Sequence, residues 1–430
     1  MHPSYTVVEL PPGCTPERAF AAVRDEPHAF WLDAGPGAVR GWSILGTGRP
    51  ADPAEVAATP LSEGPAPRHE AGPLRSGWVG WIGYEAGAAA AGAPLDPAPD
   101  PMPAQCWIRA ERIVSFDHAT GRAWVSAPDA DALATRIAAA SPVPAPVPVP
   151  NPVASVARVS PAEYAARIER CRAAIGRGDA YQLCLTTRFE VDGEFEPDTV
   201  HAALRSSSPS HHGAYIRSAG HALIGASPEV FLEVRDGIVR TAPIKGTRPR
   251  GESPEEDVAL AHELHASPKE RAENVMIVDL MRNDLATVCE TGTVSVERLL
   301  EVESYPAVHQ LVSAVAGRIR GGTTVADLLR AAFPAGSMTG APKLSAMTLL
   351  RQIEAAPRGA FAGCLGWIGD DGCLDLAMTI RTVLVHPDGA YVGAGGGITW
   401  HSHAAEEVAE VGLKARAPLA ALGATVPPGW

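Results

Sequence analysis

Gly213-Ala-Tyr-Ile-Arg-Ser-Ala-Gly-His-Ala-Leu-Ile-Gly-Ala-Ser-Pro-Glu-Val-Phe-Leu-Glu-Val-Arg-Asp-Gly-Ile-Val-Arg-Thr-Ala-Pro243 holds four short apolar runs, at 213–216, 223–226, 230–234 and 238–243. Branched or aromatic residues fill the runs, and Gly, Ser, Pro and Asp fill the gaps. That is the pattern of strands following one another as hairpins. Working outward, 181–191 reads as a further strand on one side, and 363–368, 376–385 and 390–394 as strands on the other. Helices are expected from Ser160-Pro161 to about Gly178, over 253–288 with breaks, and over 402–422. Proline suits the first turn of the first of these. Runs of strands with helices between them predict an α+β fold rather than a doubly wound parallel sheet. No internal repeat is legible.

Upstream, Ser141-Pro-Val-Pro-Ala-Pro-Val-Pro-Val-Pro-Asn-Pro152 alternates proline, which makes a stiff extended connector. It divides the chain into a first region at 1–140, a Pro-rich linker at 141–153 and a second region at 154–424. The first region reads as short strands and turns separated by Pro/Ala/Gly-rich loops at 49–72 and 87–103. Beyond its Trp/Gly clusters it carries no constellation of catalytic side chains.

The 430 residues include 36 basic and 49 acidic side chains, a formal net charge of −13. A sequence-independent nucleic-acid binder needs a basic surface, so that class is excluded. With 46% hydrophobic and 20% charged residues the composition is that of a globular protein. Seven cysteines without a CxxC pair read as reduced thiols. The N-terminus lacks a basic and apolar leader pattern, and no apolar run approaches the roughly 18 residues of a membrane span. A soluble, cytoplasmic protein is expected. Only four of the basic residues are lysines: Lys245, Lys269, Lys343 and Lys414. Where arginine is the default cation, lysine favours sites that need a compact, deprotonatable amine.

Two helical stretches carry acid pairs at spacing three, Glu270 with Glu273 and Glu407 with Glu410, and Lys414 lies one turn beyond Glu410. Facing one cleft, they would offer four carboxylates and no Cys or His, a donor set for a hard cation, Mg2+ before Zn2+. The same spacing most often marks a solvated helix face. Glu229 follows a Ser-Pro turn in Gly225-Ala-Ser-Pro-Glu229, where it is either a general acid at a pocket edge or part of the turn alone. In Thr241-Ala-Pro-Ile-Lys-Gly-Thr-Arg-Pro-Arg-Gly251, Lys245 ends an apolar strand before a Gly-rich turn. Partial burial would lower its pKa and make it a nucleophile; an exposed lysine there is inert. Gly336-Ser-Met-Thr-Gly-Ala-Pro-Lys343 and Gly393-Ala-Gly-Gly-Gly-Ile398 offer backbone N–H groups to a carboxylate. The second is no dinucleotide fingerprint, since Ile398 stands where the last glycine belongs. Cys364 reads as a core residue, and His401-Ser-His403 as the entry to the last helix.

Together with Tyr181-Gln-Leu-Cys-Leu-Thr186, Ile277-Val-Asp-Leu-Met-Arg-Asn-Asp-Leu285, Ala307-Val-His-Gln-Leu-Val-Ser313 and Thr379-Ile-Arg381, these segments stand in the order found in chorismate-utilising enzymes. The chain resembles that family over about 159–422, and more loosely at 41–46 and 77–84. Within the family it is more similar to aminodeoxychorismate synthase component I than to the large subunit of anthranilate synthase. The discriminating segment is Pro243-Ile-Lys-Gly-Thr247, where anthranilate synthases usually carry Ala in the Lys position.

The resemblance implies large antiparallel sheets forming a β-sandwich core with helices packed outside. It implies conversion of chorismate and ammonia to 4-amino-4-deoxychorismate, with the nitrogen placed at C4 with retention. Two displacements are then required: Lys245 attacks C2 as the C4 hydroxyl leaves with a proton from Glu229, and ammonia at C4 expels Lys245. Glu273 and Glu410 would hold Mg2+ directly, and Glu270 and Glu407 through water. Arg381, Lys414, Thr247 and the N–H groups of Gly246, Gly395, Gly396 and Gly397 would bind the two substrate carboxylates, with His309 near the ring. Gln182 stands where isochorismate and salicylate synthases carry a lysine that activates water, which favours ammonia as nucleophile. Ammonia would come from a glutamine amidotransferase partner, and the product would feed 4-aminobenzoate for folate or a specialised aromatic compound. The alternatives are anthranilate synthase component I, an aminodeoxyisochorismate synthase, and a non-catalytic chorismate-binding subunit. At a net charge of −13, a dianionic substrate must be drawn locally, by the metal, Arg381 and Lys414. Two departures stand out. Trp31-Leu-Asp-Ala-Gly35 replaces the Leu-Leu-Glu-Ser of tryptophan-binding relatives, so tryptophan feedback is not expected, and His401 replaces an Asp before the last helix.

Overall fold

The turns Ala219-Gly220 and Asp236-Gly237 take positive φ at both positions, 51° and 79° in the first, 55° and 75° in the second. That backbone matches the twist of flanking strands and closes two-residue hairpins. The first joins His212–Ser218 to His221–Ser227, the second Val230–Arg235 to Ile238–Thr241, both antiparallel. The computed structural model describes residues 5–65, 69–141, 153–305 and 308–430. Residues 142–152 of the proline-rich linker, and Ala307, lie outside the described residues.

Among the described residues, 20 strands join one hydrogen-bonded network and 11 α-helices flank it. Its pairings are antiparallel, including those that connect the two ends of the sequence. Ala29–Asp33 pairs with His212–Ser218, and Gly77–Ile82 with Cys364–Gly369 from Ile82↔Cys364 to Gly77↔Gly369. Strands from the first region therefore lie in the same network as those of the second. Alternate strand residues divide between two apolar clusters. Phe30, Ile44, Ile216, Leu223 and Leu384 enter one, and Trp31, Leu45, Tyr215, Ile224 and Val383 the other. Helices Pro161–Gly176, Lys343–Glu354 and Ala404–Ala421 bury their apolar faces in the second cluster. The result is the α+β architecture expected from the strand runs.

Several elements differ from the sequence reading. The strand expected over 238–243 stops at Thr241, and Ile244–Pro249 forms a strand of its own. Lys245 therefore lies inside a strand rather than at the end of one, where the pairing with Val308–Arg318 shifts register between Ile244 and Thr247. Ser295–Ser304 and Val308–Arg318 form an unforeseen ladder. The first of these is largely exposed and rich in Glu and Arg, so it lacks an apolar alternation. The first region also holds four helices, Pro16–Val23, Pro53–Ala57, Tyr84–Ala90 and Ala130–Ala139, where short strands, turns and loops are expected.

Gln182–Asp192 pairs with Gly389–Ile398 along ten residues, placing Gly397 opposite Cys184 and Gly395 opposite Thr186. The start of the first strand and the end of the second carry Gln182 and the three-glycine run to the same edge, and the last acidic helix follows.

Candidate active site

A Cβ on Gly397 would strike the amide nitrogen of Gln182 and lie 3.7 Å from Lys245 Nζ. The bare backbone is what lets those two polar groups converge. Gln182 is fully buried, and among the described residues neither its amide oxygen nor its nitrogen has a hydrogen-bond partner. Buried polar atoms are nearly always paired, so an orphaned amide marks a place where a polar ligand belongs. On the same strand as Lys245, Gly246 takes a φ of +81°, and a Cβ there would lie 3.0 Å from the Glu270 carboxyl carbon. Glycine here brings the first acidic helix against the lysine strand.

Glu229 sits between strands His221–Ser227 and Val230–Arg235 and is buried. Its carboxylate accepts from the backbone N–H of Ile244 and the hydroxyl of Ser337. Burial pushes this carboxyl's pKa up, and Lys245, those hydrogen bonds and Lys414 reverse the effect only in part. A carboxyl whose hold on its proton is strengthened by burial, next to an amine, is suited to protonating a leaving group.

Arg381 lies between Leu374–Met378 and Thr382–His386 with a φ of 50°. Its carbonyl accepts from Ala226 N–H at 3.1 Å, which ties it to the strand leading into Glu229. Among the described residues its guanidinium has no hydrogen bond and no ion pair, and burial lowers its pKa. A partly buried Arg without an acid partner is a ready receptor for a carboxylate. Lys414 donates to Gly395 O at 2.9 Å and pairs with Glu410 at 2.6 Å. Thr247 is exposed, opposite Gln310.

His309 is placed differently from the sequence reading. It is buried opposite Arg248, and both ring nitrogens are engaged, Nδ1 with Ser304 Oγ at 2.8 Å and Nε2 with Asp257 Oδ1 at 2.9 Å. Asp257 also pairs with Arg250 at 2.7 Å. His309 thus braces the lysine strand against helix Pro254–Ala266 instead of offering a nitrogen to a ligand.

Helix Pro268–Ala286 begins at Ser267, whose hydroxyl accepts from Glu270 N–H, and it carries Glu270 and Glu273. Helix Ala404–Ala421 carries Glu407 and Glu410. Burial pushes the Glu273 carboxyl up to about 7, against Lys245 and Lys269, with Glu270 and Glu407 adding to the rise. Burial also raises Glu407, which accepts from Ser402 Oγ at 2.7 Å. Burial acts the same way on Glu410, but the ion pair with Lys414 outweighs it and the carboxyl is lowered. The two acid pairs therefore feel one another across the cleft. Among the described residues Glu273 Oε1 is buried without a partner. An orphaned carboxylate oxygen in an all-oxygen donor set fits a hard divalent cation such as Mg2+. Among the described residues, no three His, Cys, Asp or Glu side chains are yet gathered closely enough to hold one.

Ser337 and Ser402 enter the site without having been singled out as site residues. Ser337 lies inside the quoted glycine-rich segment, which was the one available signal. Lys343 turns out to be a brace, donating to Asp284 Oδ2 at 2.6 Å and Ala332 O at 3.0 Å. Cys364 is buried in a strand, and burial raises its thiol far from reactivity. His403 stands at the N-cap of the last helix without a side-chain capping bond.

Residues 41–420 match the model of the chorismate binding enzyme family, on both sides of the proline-rich linker. The chain belongs to the chorismate-binding enzymes. Within the family it is 40% identical over 365 residues to an aminodeoxychorismate synthase of Streptomyces pristinaespiralis, covering 80% of this chain and 50% of that one. It is 37% identical over 447 residues to anthranilate synthase component 1 of Streptomyces coelicolor, covering 95% of this chain and 86% of the other. The chain spans about half the length of the Streptomyces aminodeoxychorismate synthases it matches. Anthranilate synthase component I from Streptococcus pneumoniae shares the fold, with a TM-score of 0.73 and 28% identity, over 97% of this chain and 93% of that one. The menaquinone-specific isochorismate synthase of Escherichia coli has the same fold at a TM-score of 0.72 and 17% identity, over 98% and 95% of the two chains. No helix among the described residues is long and apolar enough to cross a membrane.

Proposed function

We propose that this chain aminates chorismate at C4, the reaction of an aminodeoxychorismate synthase component I. The observation that carries the reading is Lys245 Nζ beside the bare Gly397, with the buried Glu229, its carboxyl pushed up by burial, close enough to feel its charge. In its free-amine form, Lys245 Nζ bonds to C2 of chorismate and both ring double bonds shift by one position. The C4–oxygen bond breaks, and the hydroxyl leaves as water with the proton of Glu229. Ammonia then bonds to C4, both double bonds shift back, and the C2–nitrogen bond breaks to free Lys245. Arg381 and Lys414 supply the local charge that seats the substrate carboxylates despite the net charge of −13. Gln182, which cannot act as a base, leaves water unactivated and the field open to ammonia.

Glu273 and Glu410 would hold Mg2+, with Glu270 and Glu407 around them. Such a cation, when bound, neutralises a substrate carboxylate and polarises the bonds next to it. A glutamine amidotransferase partner in the cytoplasm would supply ammonia, and the product would enter 4-aminobenzoate and folate synthesis or a specialised aromatic route.

The test is product identification by mass and NMR after incubation with chorismate, Mg2+ and an ammonium salt at alkaline pH. Aminodeoxychorismate is expected, and the Lys245→Ala variant should lose it. Anthranilate would overturn the reading in favour of the second relative, which matches nearly the whole chain. Full activity in Lys245→Ala would overturn the covalent route.

A further inference from the structure

We propose that Lys269 is a built-in counter-cation of the acid cluster, its ammonium paired with Glu407 within the field of Glu270, Glu273 and Glu410, and leaving when a divalent cation arrives to draw those acids together. The inference rests on the metal reading of those glutamates and adds a residue that competes with the metal.

Lys269 Nζ lies 3.7 Å from Glu407 Oε1, reaching from a side chain 46% exposed to one only 5% exposed. The same ammonium feels Glu407 most, then Glu273, Glu270 and Glu410, so all four acids act on one cation. Its sequence position makes this costly unless the acids need it. Lys269 sits in the first turn of Pro268–Ala286, where the helix dipole disfavours a positive charge. The acids of the facing helix outweigh that local penalty.

The site is nonetheless incomplete. Among the described residues, Glu273 Oε1 stays buried without a partner, and no three carboxylates are gathered around a common point. A single ammonium has three donors and one charge, too little to draw four carboxylates together. A divalent cation has the charge to do so, and two cations cannot share so small a space. Lys269 can leave cheaply, because its head group is compact and its half-exposed stem can swing toward water. Metal-free stability and metal affinity are then linked with opposite sign, since the metal must displace a favourable ion pair.

The test uses the purified full chain, with Mg2+ alone as the probe, read by isothermal titration calorimetry and by thermal unfolding in EDTA. Lys269→Met should unfold at lower temperature in EDTA yet bind Mg2+ about tenfold more tightly. Lys269→Arg, whose planar fork grips a carboxylate harder, should bind Mg2+ several-fold more weakly and serves if the neutral variant does not fold. Equal Mg2+ affinity in all three proteins, or weaker binding in Lys269→Met, overturns the proposal while leaving the metal reading intact. Absence of Mg2+ binding in wild type and variants alike overturns both.

Discussion

Lys245 Nζ lies 3.7 Å from the point where Gly397 would carry a Cβ. The lysine is thus held against bare backbone, and the room beside it exists because residue 397 has no side chain. Gln182 presses on the same point, so three residues from three separate strands meet at the end of the Gly395-Gly396-Gly397 run.

Gly397→Ala is expected to fold and to fail in catalysis. Position 397 lies in a regular strand, so alanine meets no backbone strain there. The added methyl collides with the end of the fully buried Gln182 side chain, which must leave its place beside Lys245. Displacing reacting groups by an ångström can cost about 10²-fold, and kcat/KM should fall by at least that much. Steady-state kinetics with a thermal melt check this; an active Ala variant means that Gly397 does not border the reacting centre.

Arg381→Met should trade function against stability. The guanidinium is partly buried and unpaired, so the folded chain carries a desolvation penalty that methionine removes. The melting temperature should rise by a few degrees while KM for chorismate rises roughly 10²-fold, the loss of a charge-assisted bidentate contact. Saturating chorismate should raise the melting temperature of the wild type and leave that of the variant nearly still. A variant that melts lower and binds chorismate normally would show that Arg381 serves the fold instead.

Lys343 and Asp284 make a different case, a buried pair at 2.6 Å with side chains 15% and 7% exposed. Burial pushes Asp284 up to about 6 even with the lysine beside it. Lys343→Met should destabilise the chain by roughly 3–5 kcal/mol, because it strands a buried carboxylate. Replacing both, Lys343→Met with Asp284→Leu, should recover most of that in urea denaturation. If the double variant is no more stable than the single one, the pair is not what holds these helices together.

The hairpin run at 213–243 was legible because apolar alternation and turn residues coincide within a few positions, so local rules suffice. The acid pairs at 270/273 and 407/410 were legible as helix faces for the same reason. Ladders between distant segments were not: Gly77–Ile82 and Cys364–Gly369 are each buried on both faces and carry no alternation to set a register. Nor was Ser295–Ser304, a polar strand held by its neighbour. Of the lysines, Lys245 is singled out by the apolar run before it, although it lies in the separate strand Ile244–Pro249. Lys343 is not, since its aspartate lies 59 residues away on another helix. His309 shows the limit from the other side: a motif placed it near the site, but only coordinates reveal that Ser304 and Asp257 hold both of its nitrogens.

The metal-free chain should lose stability as pH rises from about 4.5 to about 7, through Glu273. In the folded chain burial pushes this carboxyl up to about 7, against 4.5 ordinarily. Between those values the folded chain binds more protons than the unfolded chain, so unfolding becomes easier as pH rises and levels off above 7. At about 1.4 kcal/mol per unit, the whole effect is at most about 3.5 kcal/mol. Glu273→Gln keeps the shape and cannot ionise, so in EDTA its stability relative to wild type should increase between pH 5 and pH 8. Mg2+ affinity of the wild type should climb over the same window, because a metal ligand must first give up its proton. Urea denaturation at the two pH values, with and without Mg2+, decides the matter. Parallel stability curves for wild type and Glu273→Gln would mean that Glu273 is ionised throughout and that its buried oxygen finds a partner in solution.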